Sequence, residues 1–183
     1  MLITFVCNQN LARSQVLSSV FSKLYPEHEF QSAGLIAIEG NELPLVVQEI
    51  FQDWGLPLTS QKARNIFQHF DEIRKSDLVI SVNEYISRDI QALGFNGKVV
   101  NLEEVAEQLG LKLRDPQLVS RGQCAYELAK YLKVAFTALQ RMGYIKNHQT
   151  IKALIPERES SINNALELAF DKKNKGAIII MEM

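Results

Sequence analysis

Several signals of secretion, membrane insertion and nucleic-acid binding are absent from this sequence of 183 residues. Only two cysteines occur, too few for a disulfide framework, so both are expected to remain thiols in a reducing compartment. Lys and Arg number 20 against 21 Asp and Glu, and the net charge of -1 gives no reason to expect nucleic acid or an anionic membrane as a partner. The apolar run at residues 1–6 is too short for a membrane span and follows no basic segment. These absences predict a cytoplasmic protein.

Apolar residues are arranged in alternating strand-like and helix-like segments. Short apolar runs typical of strands occupy residues 2–6, 29–34, 77–82 and 98–102. Helical spacing of apolar residues follows the first run and recurs at residues 44–54, 84–93 and 123–141. This alternation predicts an α/β fold with a four-stranded parallel sheet and helices on both faces, formed by residues 1–143. Residues 144–183 are predicted to add a helix–strand extension that packs on this domain or on a partner.

The segment "VCNQNLARS" carries the strongest chemical signal. It places Cys7 at the end of the first predicted strand and Arg13 where the first helix begins. Backbone N–H groups of such a loop point at one centre with the positive end of the helix dipole behind them, and the Arg13 fork can hold two phosphate oxygens. A helix N-terminus and a nearby cation also favour a cysteine thiolate. We therefore predict a nucleophilic sulfur below a bound phosphate, which is contacted by Asn8, Gln9, Asn10, Leu11, Ala12 and Ser14.

This loop resembles the phosphate-binding loop of the low-molecular-weight protein tyrosine phosphatases, whose fold is shared with thioredoxin-coupled arsenate reductases. Four more segments are similar to segments of that family and follow in the same order, namely "FQSAG", "WGLPLTSQKARNI", "DLVISVNEYISRDI" and "RDPQLV". The resemblance covers about residues 1–143. Several partial matches in one order are harder to produce by chance than a single motif.

The resemblance implies a cysteine-dependent phosphatase that hydrolyses phosphate monoesters, foremost phosphotyrosine on proteins, through a phosphocysteine intermediate. It implies that Cys7 is the nucleophile, that Arg13 binds the phosphate and that Asp115 is the general acid. It further implies that Ser14 supports the thiolate and that Ser32 props the loop. No metal and no cofactor is expected, because Arg13 and the loop amides supply the positive field. The expected partner is a phosphorylated protein or a small phosphomonoester.

Some positions depart from the family pattern. Gln9 stands where a small residue is usual, so its side chain must point outward. Gln61 replaces a frequent histidine and Asn83 a frequent aspartate. Aromatic residues that flank the substrate ring in the family are replaced by Gln117, Leu118 and the aliphatic run "LIAIEG". Phosphotyrosine is therefore a less secure substrate than phosphate monoesters in general, although Leu11 favours an oxygen ester over phosphoarginine.

Two other functions stay open at this point. "RSQ" after the loop is also found in arsenate reductases, but the additional cysteines of those enzymes are missing and Cys124 is the only other thiol. An arsenate reductase of this kind would need an external thiol. Alternatively, the changed supporting residues and the 144–183 extension would suit a phosphate-binding pseudophosphatase. The extension could also form a homodimer contact.

Overall fold

In the computed structural model, which describes residues 1–57, 62–116 and 120–145, four parallel strands form one sheet. The strand order is β2-β1-β3-β4. The strands are β1 (Leu2–Cys7), β2 (Glu29–Gly34), β3 (Leu78–Ser81) and β4 (Lys98–Asn101). Cys7, the last residue of β1, lies opposite Gly34, the last residue of β2. The carboxyl ends of the strands therefore meet at one edge of the sheet, where α/β proteins bind ligands.

Helices connect the strands and pack around the sheet, which confirms the predicted fold class. They are α1 (Arg13–Leu24), α2 (Leu45–Asp53), α3 (Phe70–Ile73), α4 (Glu84–Ala92), α5 (Leu102–Gln108) and α6 (Arg121–Arg141). Side chains cap the N-termini of α4, α5 and α6, where Asn83, Asn101 and Ser120 each accept a backbone N–H. By contrast, α1 follows Ala12, which has no side chain able to cap it. The first amides of α1 are thus left for another acceptor.

The core is continuous from β1 through α1 to α6. Ile3, Phe5 and Val6 of β1 are fully buried, as expected for a central strand covered on both faces. The ring of Phe5 stacks on Phe21 of α1 with centroids 5.3 Å apart, and Phe21 in turn lies 4.5 Å from Phe136 of α6. This packing fixes the end of β1 and the start of α1 relative to α6.

The sequence predicted the four strands and α1, α2, α4 and α6 to within a few residues, but it did not predict α3 and α5. These two helices have only 4 and 7 residues, too few for a clear apolar period. The predicted helix and strand of the 144–183 extension lie outside the described residues after Ile145. Among the helices that the structure describes, none combines the length and the apolar character needed to cross a membrane.

Candidate active site

The segment between β1 and α1 forms a loop at the carboxyl edge of the sheet. Cys7 ends β1, Arg13 begins α1, and the residues between them are held by the chain that follows β2. The N–H of Leu35 donates to the Cys7 carbonyl at 3.0 Å, and the N–H of Ile36 donates to the Asn8 carbonyl at 2.9 Å. The loop is therefore an extension of the sheet on one side and the start of a helix on the other.

The sulfur of Cys7 lies at the bottom of this loop. Its residue is only 2% exposed. The backbone N–H of Asn10 donates to the sulfur at 3.2 Å, and the Ser14 hydroxyl lies 2.9 Å from it. Both groups can stabilise negative charge on sulfur, and the thiolate is the nucleophilic form of a cysteine. The structure thus brings Cys7 and Ser14 together as the sequence predicted.

Asn10 is the centre of the hydrogen bonds that shape the loop. Its φ is 55°, a left-handed conformation that asparagine tolerates better than most residues. Its side-chain amide donates to the hydroxyls of Ser14 at 2.8 Å and Ser32 at 2.9 Å. Its side-chain carbonyl accepts from the Gln15 amide at 3.0 Å and from the backbone N–H of Arg64 at 2.8 Å. Asn10 therefore connects the loop to α1, to β2 and to the segment before α3.

Two residues that shape the loop were not predicted from the sequence. Gln15 also donates to the Lys62 carbonyl at 3.0 Å, so it joins the loop to a distant segment. Gly34 lies so close to the loop that a Cβ there would be 2.6 Å from the Asn8 carbonyl oxygen and 2.7 Å from the Asn10 nitrogen. A glycine that ends a strand is the signal that indicates such a close approach of two backbones.

Arg13 supplies the positive charge of the site. Its side chain is 9% exposed and pairs with Asp115, with 2.6 Å between the guanidinium nitrogen and the carboxylate oxygen. The guanidinium carbon lies 5.9 Å from the centroid of the Tyr131 ring. Burial disfavours the charged form of Arg13, but the groups of Cys7, Tyr131 and Asp115 outweigh it and raise the pKa. Arg13 is therefore a permanent cation facing the sulfur.

The predicted phosphate-contacting residues lie together around this cation. Asn8, Gln9, Asn10, Leu11 and Ala12 form the loop, and Gln9 is exposed, as expected for an outward side chain. The uncapped amides at the start of α1 carry the positive end of its dipole toward the same space. No acidic residue occupies the first turn of α1. The arrangement favours a small anion with several oxygens.

Asp115 reaches the site from a different part of the chain. Its carboxylate is 67% exposed although it contacts Arg13. The neighbouring Gln117 and Leu118 lie outside the described residues, as does Gln61. Ile36 and Ile38 are 61% and 69% exposed, so the aliphatic run after β2 presents apolar side chains to solvent.

The second cysteine, Cys124, lies in a different environment from Cys7. It lies at the start of α6 and is fully buried, as the sequence predicted. Burial raises its pKa to about 11, so it stays a protonated thiol near neutral pH. A protonated thiol is a poor partner for disulfide exchange, which argues against a redox relay between the two cysteines.

Comparison with known proteins identifies protein tyrosine phosphatases as relatives of this chain. The family model described as low molecular weight phosphotyrosine protein phosphatase matches residues 2–144. The low molecular weight protein-tyrosine-phosphatase PtpB of Staphylococcus haemolyticus is 27% identical over 111 residues, which cover 60% of this chain and 78% of PtpB. The redox alternative is not favoured.

Three solved structures have a similar fold at low sequence identity. The tyrosine phosphatase Wzb from Escherichia coli K30, in complex with sulphate, has a TM-score of 0.66 at 17% identity, with 78% of this chain and 98% of Wzb covered. A mutant of YwlE from Bacillus subtilis has a TM-score of 0.63 at 16% identity, with 78% of this chain and 99% of YwlE covered. A further structure of YwlE is described as an arginine phosphatase and has a TM-score of 0.63 at 17% identity, with 78% of this chain and 96% of YwlE covered. The fold alone therefore does not decide the leaving group. The family match over residues 2–144 means that this chain belongs to the low molecular weight phosphotyrosine protein phosphatase family.

Proposed function

We propose that this protein hydrolyses phosphate monoesters, foremost phosphotyrosine on proteins, through a phosphocysteine intermediate on Cys7. The observation that carries the proposal is the Cys7 sulfur, which has donors 2.9 Å and 3.2 Å away at the bottom of the loop that Arg13 closes. A phosphate held by the Arg13 fork and the loop amides has its phosphorus above this sulfur.

In the first step, the Cys7 thiolate attacks phosphorus in line with the leaving oxygen. The S–P bond forms as the P–O bond to the leaving group breaks, and the electron pair of that bond stays on the oxygen. Arg13 and the amides at the start of α1 stabilise the charge on the equatorial oxygens. Asp115, in its protonated form, donates its proton to the departing oxygen, which is needed because an alkoxide or phenoxide is a poor leaving group.

In the second step, water hydrolyses the phosphocysteine. The Asp115 carboxylate, left deprotonated by the first step, takes a proton from the attacking water. The new P–O bond forms as the S–P bond breaks, so Cys7 returns to a thiolate and inorganic phosphate is released. No redox change occurs, and Asp115 ends the second step protonated, as it was at the start of the first. It releases that proton to water when its carboxylate pairs with Arg13 again.

The Arg13–Asp115 ion pair must open when a substrate binds. A phosphate dianion and the Asp115 carboxylate compete for the same guanidinium, because both bind it through oxygen. Since Asp115 is largely exposed, its carboxylate can leave Arg13 without unpacking the core. Binding of the substrate thus frees the Asp115 carboxylate, which takes up a proton from water and then faces the leaving oxygen as the general acid.

The surroundings of the loop support a substrate with an apolar leaving group. Ile36 and Ile38 expose apolar surface beside the loop, which suits an aryl ester better than a strongly polar one. Aliphatic side chains do not stack on a ring as aromatic residues do, so we expect only a modest preference for aryl over alkyl phosphates. The partner is a phosphorylated protein or a small phosphomonoester.

The test is hydrolysis of p-nitrophenyl phosphate by Cys7→Ser, with Cys124→Ser as the matched control. Loss of the nucleophile abolishes turnover in the first variant, whereas the second keeps it because Cys124 lies buried at the start of α6. Wild-type rates in Cys7→Ser would rule out the nucleophile. Binding of phosphate without turnover by the wild-type protein would instead support a pseudophosphatase.

A further inference from the structure

Arg13 has two partners of opposite character. Asp115 is 67% exposed and lies on a connecting segment. Tyr131 is 3% exposed and lies in the middle of α6, with its side chain beside the Arg13 guanidinium. The guanidinium carbon is 5.9 Å from the centre of the same ring, within the range of a cation–π contact. One partner can leave, and the other is fixed by the core.

The catalytic cycle proposed above requires Asp115 to leave Arg13 when a phosphate binds. A free guanidinium on a long side chain has many rotamers, and holding it in one orientation costs conformational entropy. Tyr131 is the partner that remains, because its buried ring lies within cation–π range of Arg13 and is fixed by the packing of α6. Its contribution is therefore greatest when the substrate is bound.

Helix α6 also reaches the segment that carries Asp115. Lys130, next to Tyr131, is buried and donates from its ammonium group to the Lys112 carbonyl at 2.9 Å. Lys112 precedes Asp115 by only a few residues. Adjacent residues of one rigid helix thus contact the phosphate-binding arginine and the chain that leads to the proposed general acid.

We propose that Tyr131 is a positioning residue that holds the Arg13 fork toward the phosphate-binding loop while Asp115 exchanges between Arg13 and the leaving group. This inference rests on the proposed function, since it needs a phosphate in the loop. Burial raises the pKa of Tyr131 although the nearby Arg13 charge lowers it, so the hydroxyl remains neutral near pH 7. A neutral side chain can lie beside Arg13 without competing with the phosphate as an anion would.

The test compares Tyr131→Phe with Tyr126→Phe, a matched change on the same helix. Tyr131→Phe keeps the ring and removes the hydroxyl beside the Arg13 charge, so we expect kcat/KM for p-nitrophenyl phosphate to fall about tenfold. The competitive inhibition constants of inorganic phosphate and orthovanadate are expected to rise by a similar factor. Tyr126→Phe is expected to change each value by less than about twofold, because the half-buried Tyr126 ring contacts Lys130 and that ring is kept.

Inhibition constants separate a positioning role from a structural one, because they do not depend on the fraction of folded enzyme. If Tyr131→Phe lowers the melting temperature but leaves both inhibition constants unchanged, Tyr131 only packs the core and the inference is wrong. A double-mutant cycle gives a second readout: in an Arg13→Lys background, Tyr131→Phe should cause little further loss. An equal loss in both backgrounds would also overturn the inference.

A wild-type protein that neither hydrolyses nor binds phosphate would overturn the proposed function itself, and this inference with it.

Discussion

At the scale of single residues, Asn10 combines a backbone conformation with a set of hydrogen bonds that few side chains can provide. Its φ of 55° favours Gly, Asn or Asp, and its amide group uses two donors and one acceptor in four hydrogen bonds. Glycine would keep the conformation without the bonds. Aspartate would accept the bonds from Gln15 and Arg64 but could not donate to the serines.

Replacement of Asn10 therefore separates conformation from hydrogen bonding. We expect Asn10→Ala and Asn10→Gly to lower kcat/KM for p-nitrophenyl phosphate by about tenfold to a hundredfold, because the loop amides and Cys7 lose their mutual geometry. Loss of the buried hydrogen bonds should lower the free energy of unfolding by about 1–3 kcal/mol, and Asn10→Ala should lose more than Asn10→Gly because alanine is strained at positive φ. Denaturant unfolding with equal stabilities for the two variants would contradict the role assigned to the left-handed conformation.

Asp115 offers a second residue-scale prediction, since an amide cannot transfer a proton as a carboxyl group does. Asp115→Asn is expected to lower kcat by about a hundredfold, and more for alkyl phosphates than for p-nitrophenyl phosphate, whose leaving group needs less protonation. The inhibition constant of inorganic phosphate should not rise, because a competitor for Arg13 has been removed. Asp71→Asn on α3, an exposed carboxylate paired with Arg74, serves as the control. Equal losses with good and poor leaving groups would contradict general acid catalysis.

The candidate site could be predicted from the sequence only where its residues share one segment. Cys7, Asn10, Arg13 and Ser14 lie within one loop and one helix start, so their spacing indicates their proximity. The role of Asp115 was inferred from the resemblance to a family, because an Asp-Pro pair alone is typical of any turn. Gln15 and Tyr131 could not be predicted, because their contacts depend on segments that only the fold brings together. Gly34 at the end of a strand indicates a close approach, but not which backbone approaches it.

At the scale of the elements, the site depends on how closely the end of β2 approaches the loop after β1. Gly34 permits this approach, and a methyl group there would lie 2.6–2.8 Å from three backbone atoms of the loop. Such backbone contacts can be relieved only when the loop or the strand moves. The phosphate-binding loop is therefore shaped by its neighbouring strand as well as by its own sequence.

Gly34→Ala should consequently lower kcat/KM by more than its loss of folding stability would explain. We expect kcat/KM to fall by about tenfold or more and the free energy of unfolding to fall by about 1–3 kcal/mol. Gly122→Ala is the matched control, because a Cβ at Gly122 on α6 meets no atom within 4 Å. In that variant we expect unchanged kinetics and a gain in stability of up to about 1 kcal/mol from helix propensity. Normal kinetics in Gly34→Ala would show that the loop tolerates displacement.

The length of an element decided whether the sequence predicted it. Strands β1 and β3 are short apolar runs bounded by polar or turn residues, and α6 repeats its apolar face over 21 residues. Helices α3 and α5 are shorter than two full turns. They exist because tertiary contacts bury Ile73, Leu102 and Ala106, and such contacts leave no periodic pattern in so few residues.

At the scale of the whole molecule, the described core extends from Ile3 to Ile145. The net charge of -1 means that the positive field of the site is local, created by Arg13 and the start of α1. The family match ends at residue 144, close to the end of the described core. Residues 1–143 as a domain and residues 144–183 as an extension remain a prediction.

A chain that ends at residue 145 tests this division. We expect it to retain the aryl phosphatase activity and the melting temperature of the full chain, because the described core and the candidate site lie within it. If the extension forms a homodimer contact, size-exclusion chromatography should show a dimer for residues 1–183 and a monomer for residues 1–145. A truncated chain that fails to fold would show that the extension is part of the core, and equal sizes would exclude the homodimer contact.

Nucleophilic attack by Cys7 is tested most directly by trapping the covalent intermediate. The full chain is mixed with excess p-nitrophenyl phosphate, quenched in acid within its first turnovers and digested, and its peptides are examined by mass spectrometry. We expect one phosphoryl group on the peptide that contains Cys7, accumulating further in Asp115→Asn as its hydrolysis slows. Steady turnover of substrate with no phosphoryl group on Cys7 at any quench time, in either protein, would contradict the central role of this sulfur.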